Sequence, residues 1–147
     1  MRFHALAALV LVAGLPLAAS ANPAPTIVLP DQIKWTAGSG AMAGTEMAVL
    51  AGDPSKAGPF VVRIRIPDGL KLAPHTHADT ERVTVLSGTM MVGVGGTMTE
   101  SAMTALPAGS FVEIPAGLPH YAMAKGETVI QLGGMGPFTM TPVTPGK

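Results

Sequence analysis

Short stretches that alternate apolar and polar residues, separated by glycine and proline, make up most of this chain. The clearest stretch covers 60–66, where every second residue is a large apolar one: Phe60, Val62, Ile64 and Ile66. A period of two places these residues on the buried face of a strand and Arg63 and Arg65 on its outer face. Similar stretches occur at 47–50, 111–114, 121–124 and 128–132. The pattern predicts an all-β fold built as a barrel of many short strands.

Two segments predict connections rather than isolated strands. Residues 83–86 and 90–94 flank Ser87-Gly88, which predicts a hairpin that turns at these two residues. Residues 99–106 predict one short helical turn before the next strand. The length of 147 residues is sufficient for one domain.

The first 21 residues have the organisation of a secretory signal peptide. A charged start at Arg2 precedes an apolar run that ends in the small residues Ala19-Ser20-Ala21. The run is shorter than the roughly 20 apolar residues that span a bilayer. We expect cleavage after Ala21, a periplasmic or secreted protein and no membrane span thereafter, with an uncleaved anchor or a lipid anchor as alternatives.

The remaining chain divides into three predicted parts. Residues 22–45 form an extended lead-in, residues 46–135 form the barrel, and residues 136–147 form a proline-rich tail that lies on the surface or is loose. Single barrels of this kind have sheet edges that need covering. We therefore expect a homodimer, in which residues 26–36 could cross to the partner.

Composition excludes several classes of function. Without residues 1–21 the chain has 8 basic and 9 acidic residues, a formal charge of 8 − 9 = −1, and no basic patch that would bind nucleic acid. It has no cysteine, so neither a disulfide nor a thiolate ligand is available. Its methionines are spread along the sequence, which favours filling of gaps in the core over copper(I) binding.

The candidate chemistry lies in the few histidines. His75 and His77 are two residues apart, so on a strand both imidazoles point to one face, and Glu81 follows at an even spacing. His120 would close the site from a second strand. Three imidazoles and a carboxylate suit Mn, Fe, Ni, Co or Zn far better than Mg or Ca. The alternative is a set of structural histidines in a metal-free barrel.

The spacing of these residues resembles the cupin family. The first cupin motif is matched at every position by Gly69, His75, His77, Glu81 and Gly88. The second motif is matched by Gly109, Pro115, Gly117 and His120, while its final asparagine is replaced by Ala124. That asparagine is not a metal ligand in the family pattern, so the replacement concerns a local backbone contact. The resemblance covers roughly positions 46 to 135.

The resemblance implies a small antiparallel β-barrel, of the type also called a double-stranded β-helix or jelly roll, with the metal inside. It assigns the metal ligands to His75, His77, Glu81 and His120. It also implies a metal-dependent enzyme of the oxygenase or lyase type, because one or two open positions on the ion can bind a small molecule. A non-catalytic secreted cupin that holds a metal or senses a ligand is the alternative.

Strand alternation predicts which residues surround the ion. If Glu81 faces inward, Val83 and Val85 do as well, and Ala122 follows His120. Gln131 is the candidate for a polar contact in the pocket, with an exposed strand position as the alternative. Tyr121 is expected to point away from the site. These neighbours offer an apolar wall with few acid–base groups.

Overall fold

The computed structural model describes residues 24–144. Within this range the regular structure is strand except for three short 3-10 turns, at Pro30–Gln32, Gly40–Met42 and Glu100–Ala102. The predicted signal peptide at 1–21 lies outside the described residues. The strands are β1 (Thr36–Ala37), β2 (Glu46–Ala51), β3 (Gly58–Ile66), β4 (Lys71–Thr76), β5 (Glu81–Val94), β6 (Thr104–Pro107), β7 (Phe111–Ile114), β8 (His120–Gly136) and β9 (Thr141–Pro142). The all-β prediction is confirmed.

All strand pairs are antiparallel, and the long strand β8 organises them. Its C-terminal half pairs with β3 on one side and with the first half of β5 on the other. Its N-terminal half pairs with β4 and with the second half of β5. The sheet therefore curls around the apolar side chains, as the predicted cupin barrel requires.

The predicted hairpin at Ser87-Gly88 is wrong, because β5 continues through this point as one strand. Gly88 has a φ of 75°, and a Cβ there would collide with the carbonyl oxygen of Glu127. The glycine lets β5 bend against β8, and the pairing register shifts on both sides of Ser87. In β8 a second glycine with positive φ, Gly126, joins two stretches that the sequence pattern separates.

The apolar core follows the predicted alternation in β3. Its inward residues are at most 2% exposed, while Arg63 and Arg65 lie on the outer face. The Nη1 atom of Arg65 pairs with Oε2 of Glu46 at 2.7 Å, and the Nε atom of Arg63 donates a hydrogen bond to the Gln131 side chain at 3.2 Å. The 99–106 segment contains one short helical turn, as expected, followed by β6.

The two segments outside the predicted barrel, 22–45 and 136–147, both contribute to it. In the lead-in, β1 pairs with β2. Residues 137–143, here called the C-terminal strap, run back along β4. The Phe138 amide donates to the Pro54 carbonyl at 2.7 Å, β9 pairs with β4, and the Val143 amide donates to the Pro74 carbonyl at 2.9 Å. Of the two expectations for the tail, the strap agrees with a surface-bound segment and not with a loose one, because its backbone is hydrogen-bonded to the sheet.

None of the helical segments in residues 24–144 has the length and apolar character of a membrane span.

Candidate metal centre

The three predicted histidine ligands meet at one end of the curled sheet. His75 in β4 is the cross-strand partner of His120 in β8, and their ring centroids are 4.2 Å apart. His77 follows β4 directly, with its ring 4.8 Å from that of His75 and 5.2 Å from that of His120. Each residue offers a ring nitrogen, and the three nitrogens lie within 4.8 Å of one another. All three side chains are buried.

Two of the rings are oriented by the backbone carbonyl two residues before them. The Nδ1 atom of His75 bonds the carbonyl of Ala73 at 2.7 Å, and Nδ1 of His120 bonds the carbonyl of Leu118 at 3.0 Å. In each case a proline separates the two residues. A carbonyl can only accept, so each Nδ1 carries the proton and each Nε2 is left free to bind a metal.

The third ring is oriented by the C-terminal strap. The Nδ1 atom of His77 donates to the carbonyl of Thr139 at 2.7 Å. The ring of Phe138 stacks on His77 with centroids 4.5 Å apart and an interplanar angle of 21°. Its edge contacts Phe60, 5.4 Å away between centroids. The strap therefore sets both the tautomer and the tilt of a candidate ligand.

Glu81, at the start of β5, supplies the carboxylate. Its Oε2 lies 3.4 Å from Nε2 of His77 and 3.3 Å from Nε2 of His120. Burial alone would raise the pKa of Glu81, but the two neighbouring imidazoles outweigh burial and lower that pKa to about 2. The carboxylate is therefore ionised at neutral pH.

Burial and the Glu81 charge shift the pKa values of His75 and His77 in opposite directions. Burial lowers the pKa of His75 to about 4, with smaller contributions from its neighbours. Burial also opposes protonation of His77, but the adjacent Glu81 carboxylate outweighs it and raises the pKa of His77 above 6.5. His75 is neutral at pH 7, while His77 holds a proton more readily until a cation replaces it.

The geometry fits a bound divalent metal. The Nε2 atom of His77 is buried, and no hydrogen-bond partner satisfies it within the described part of the chain. Leaving such an atom unpaired costs about 1–3 kcal/mol, which a metal bond would offset. Metal ligands at right angles, on bonds of about 2.1 Å, are about 3 Å apart. The 3.3 and 3.4 Å separations around Glu81 are close to this value.

The cavity next to these four residues is apolar. Its other lining residues are Met42, Ile64, Leu72, Met90, Ala122, Ile130, Leu132, Phe138 and Met140. Ala122 lies where strand alternation placed it. About 20 Å³ is open to the centres of water-sized molecules, which is room for about one water. A larger recess of about 360 Å³ adjoins it and shares Met42, Ile64, Phe138 and Met140.

Three of the predicted pocket residues do not line this cavity. Val83 and Val85 face inward as expected but are packed in the core, with at most 1% exposure. Gln131 lies on the outer face, because its neighbours Ile130 and Leu132 occupy the inner face of β8. Tyr121 points away from the site, as predicted, and its hydroxyl donates to the Thr99 carbonyl at 3.3 Å.

Sequence reasoning missed the residues that complete the wall from outside the motifs. Met42 comes from the lead-in, and Phe138 and Met140 come from the strap. Phe138 carried one usable signal, since it is the single aromatic residue of a proline-rich segment. A large apolar side chain in such a segment usually has a surface to cover. For the two methionines the sequence held no such signal.

Comparison with protein families settles the fold assignment. The sequence model of the ChrR cupin-like domain matches residues 23–139 of this chain. The chain belongs to this cupin family. The cupin resemblance drawn from the two motifs is thereby confirmed. Among curated proteins, a search with this sequence found no match.

Solved structures show the same fold. The polyketide cyclase RemF from Streptomyces resistomycificus has a TM-score of 0.67 and 16% identity, over 84% of this cupin and 89% of RemF. A candidate acetylacetone dioxygenase from Methylibium petroleiphilum PM1 has a TM-score of 0.65 and 20% identity, over 86% and 85%. An RmlC-like cupin from Shewanella frigidimarina NCIMB 400 has a TM-score of 0.59 and 18% identity, over 76% and 91%. At these identities the likeness shows the fold alone.

Proposed function

We propose that this cupin binds one divalent transition-metal ion (Fe, Mn, Ni, Co or Zn) through His75, His77, Glu81 and His120. We further propose that it is a metalloenzyme of the oxygenase or lyase type, acting on a small organic molecule. The observation that carries the proposal is the convergence of three buried, pre-oriented imidazoles, two of which also lie within 3.4 Å of one buried carboxylate oxygen. When bound, the ion would supply Lewis-acid or redox chemistry at its open positions.

The chain's own residues have separate roles in this proposal. The backbone carbonyls of Ala73, Leu118 and Thr139 hold the three rings with Nε2 directed inward. Glu81 contributes the one negative charge. The apolar wall excludes water and strengthens electrostatic contacts with whatever coordinates the ion.

Two kinds of protein with this fold support a catalytic role by analogy. One neighbour is a polyketide cyclase and another is a candidate acetylacetone dioxygenase. Both act on organic molecules by their names, and fold likeness alone does not transfer a reaction. The analogy serves to choose the first substrates to test, which are small enolisable carbonyl compounds.

The test begins with metal binding and then measures turnover. Anaerobically prepared Fe(II)-loaded protein is mixed with a substrate panel and oxygen, and both oxygen consumption and product formation are followed. His75→Ala should abolish metal binding and turnover together. Tyr121→Phe is the matched control, because this residue neighbours His120 but faces the opposite side. Tight metal binding with no reaction across the panel would refute the enzymatic part.

One observation favours the alternative of a non-catalytic metal- or ligand-binding module. Apart from the four candidate ligands, the cavity lining described here contains no acid–base side chain. Water-proton relaxation of the Mn(II)-loaded protein separates the two functions. Rapidly exchanging water on the ion supports catalysis, whereas a closed coordination shell supports a storage or sensing role.

Export and self-association complete the proposal. Residues 1–21 would direct the chain to the periplasm or the outside, after which they are removed. Pairing as a homodimer is supported by the exposed apolar run in the lead-in, where Ile27 is 71% and Leu29 is 51% exposed. Such side chains are typical of a segment that packs against a partner.

A further inference from the structure

The metal-binding cavity is unusual in how little polar chemistry it offers besides the metal ligands. Its nine remaining lining residues, as far as the structure describes them, are aliphatic, aromatic or thioether side chains. All three Nδ1 atoms are already bonded to backbone carbonyls. A ligand in this cavity would therefore find one polar partner, the ion itself, and every other polar group it buried would stay unpaired.

The charge of the site restricts the part of the ligand that meets the ion. Three neutral imidazoles, one carboxylate and a divalent ion leave a single net positive charge in an apolar cavity. A buried net charge is costly unless it is paired. One negative charge on the incoming ligand would neutralise the site, whereas a second would be buried without a partner.

The shape of the cavity restricts the rest of the ligand. The chamber at the histidines holds about one water, so only a small head group fits beside the ion. The adjoining recess of about 360 Å³ shares the lining residues Met42, Ile64, Phe138 and Met140 with the chamber. Apart from Ser39 and Ser55, the described lining of this recess is apolar.

We infer that the site selects a monoanionic ligand, a carboxylate or an enolate, that places its charged oxygen on the ion and a short apolar tail past Met140 into the larger recess. This inference rests on the proposed metal site. Met140 lines the inner chamber, the larger recess and a third recess of about 140 Å³, so it borders a tail that runs between these spaces. We assign it as a specificity-determining residue.

One cationic side chain near the cavity, Lys71, could attract a second negative charge, but it is already paired with a carboxylate. The third recess includes Lys71 in its lining, and a dianionic ligand could reach toward that ammonium group. The Nζ atom of Lys71, however, is paired with the Glu100 carboxylate. A dicarboxylate would have to share this exposed ammonium group with Glu100.

The test uses Co(II)-loaded protein, whose visible spectrum reports ligands that reach the ion. Acetate, propionate and butyrate are titrated. Succinate is titrated as well, because it has the four carbons of butyrate but carries a second carboxylate in place of the terminal methyl group. Affinity should rise about fourfold for each added methylene, the factor expected for burying a CH₂ group. Succinate should bind at least tenfold more weakly than butyrate.

Variants at Met140 connect the selectivity to the proposed path. Met140→Gln should remove most of the gain from acetate to butyrate, while Met140→Leu, of similar volume and apolar, should keep it. The Co(II) affinity of each variant is measured separately, so that an effect on the ion is distinguished from an effect on the tail. Met140 is only partly buried, so both variants should fold.

Three results would overturn the inference: equal binding of acetate and butyrate, succinate binding as tightly as butyrate, or full chain-length dependence in Met140→Gln. Any of these with Co(II) bound leaves the proposed metal site intact. Failure of the wild-type protein to bind Co(II) at all would instead refute the proposed function and the inference that rests on it.

Discussion

Replacing Phe138 by alanine tests whether the C-terminal strap is part of the metal centre. The ring lies between His77 and Phe60, with centroid distances of 4.5 and 5.4 Å, and it is half-buried. Removing a fully buried phenylalanine costs about 3–5 kcal/mol. For a half-buried ring we expect a loss of about 2 kcal/mol in the free energy of unfolding, or roughly 6–8 °C in Tm.

The same variant should weaken metal binding. The neighbouring Thr139 carbonyl holds Nδ1 of His77, and losing the stacked ring frees both the carbonyl and the imidazole to move. Loss of an outer contact that orients a metal ligand typically costs 10- to 100-fold in affinity. We expect at least a tenfold reduction, measured by competition with a chromophoric chelator.

Phe111→Ala provides the matched control, because Phe111 is 60% exposed on β7 and does not line the cavity at the candidate ligands. It should change the unfolding free energy by about 0.5 kcal/mol or less and leave metal affinity unchanged. Urea unfolding of chelator-treated protein gives the first quantity for both variants. If Phe138→Ala behaves like this control in both assays, the strap does not support the site.

Three further predictions concern pH, the strand bends and assembly. Because the folded-state pKa of His75 is lowered to about 4, the unfolded chain binds more protons between pH 4 and 6.5, so metal-free stability should fall as pH drops through this window. The raised pKa of His77 has the opposite effect, because the stability it contributes is lost as the pH rises above 6.5. Urea unfolding at several pH values, repeated with His75→Gln and His77→Gln, should assign the pH dependence of the unfolding free energy to each histidine. Gly88→Ala should destabilise by at least about 2 kcal/mol more than Gly126→Ala in thermal unfolding, since both glycines have positive φ but only the first Cβ meets backbone atoms. Deleting residues 22–35 should convert the expected homodimer to a monomer in size-exclusion chromatography, and a full-length chain that is monomeric at high concentration would contradict this.

The strand pattern and two short motifs were sufficient to predict the fold and the position of its histidines. Period-two alternation identified the inward face of β3, and the x-Pro-His tripeptides at 73–75 and 118–120 each contain both an imidazole and the carbonyl that orients it. Those parts were predictable because the residues that interact are near one another in sequence. The connection at Gly88 was misread, because a glycine with positive φ serves a turn and a bend between sheets equally well.

The rest of the site depends on contacts between distant segments. Phe138 lies 61 residues from His77, and its stacking has no periodic signature. For Gln131 the sequence left both faces of the strand open, because one polar residue in an apolar run faces inward or outward according to register alone. That register is set by pairing of β8 with β3 and β5, which the local sequence does not report.

The backbone carbonyls that hold the three imidazoles have a consequence for how the proposed site would take up a metal ion. Contacts within the chain hold the three rings, so a bound cation would not be needed to orient them. Divalent ions that accept three nitrogens and one oxygen would then compete for the same site. At equal free concentrations, the tighter-binding members of the Irving–Williams series would occupy it. In the proposed site, the metal supply of the compartment in which the chain folds would then decide which ion is bound.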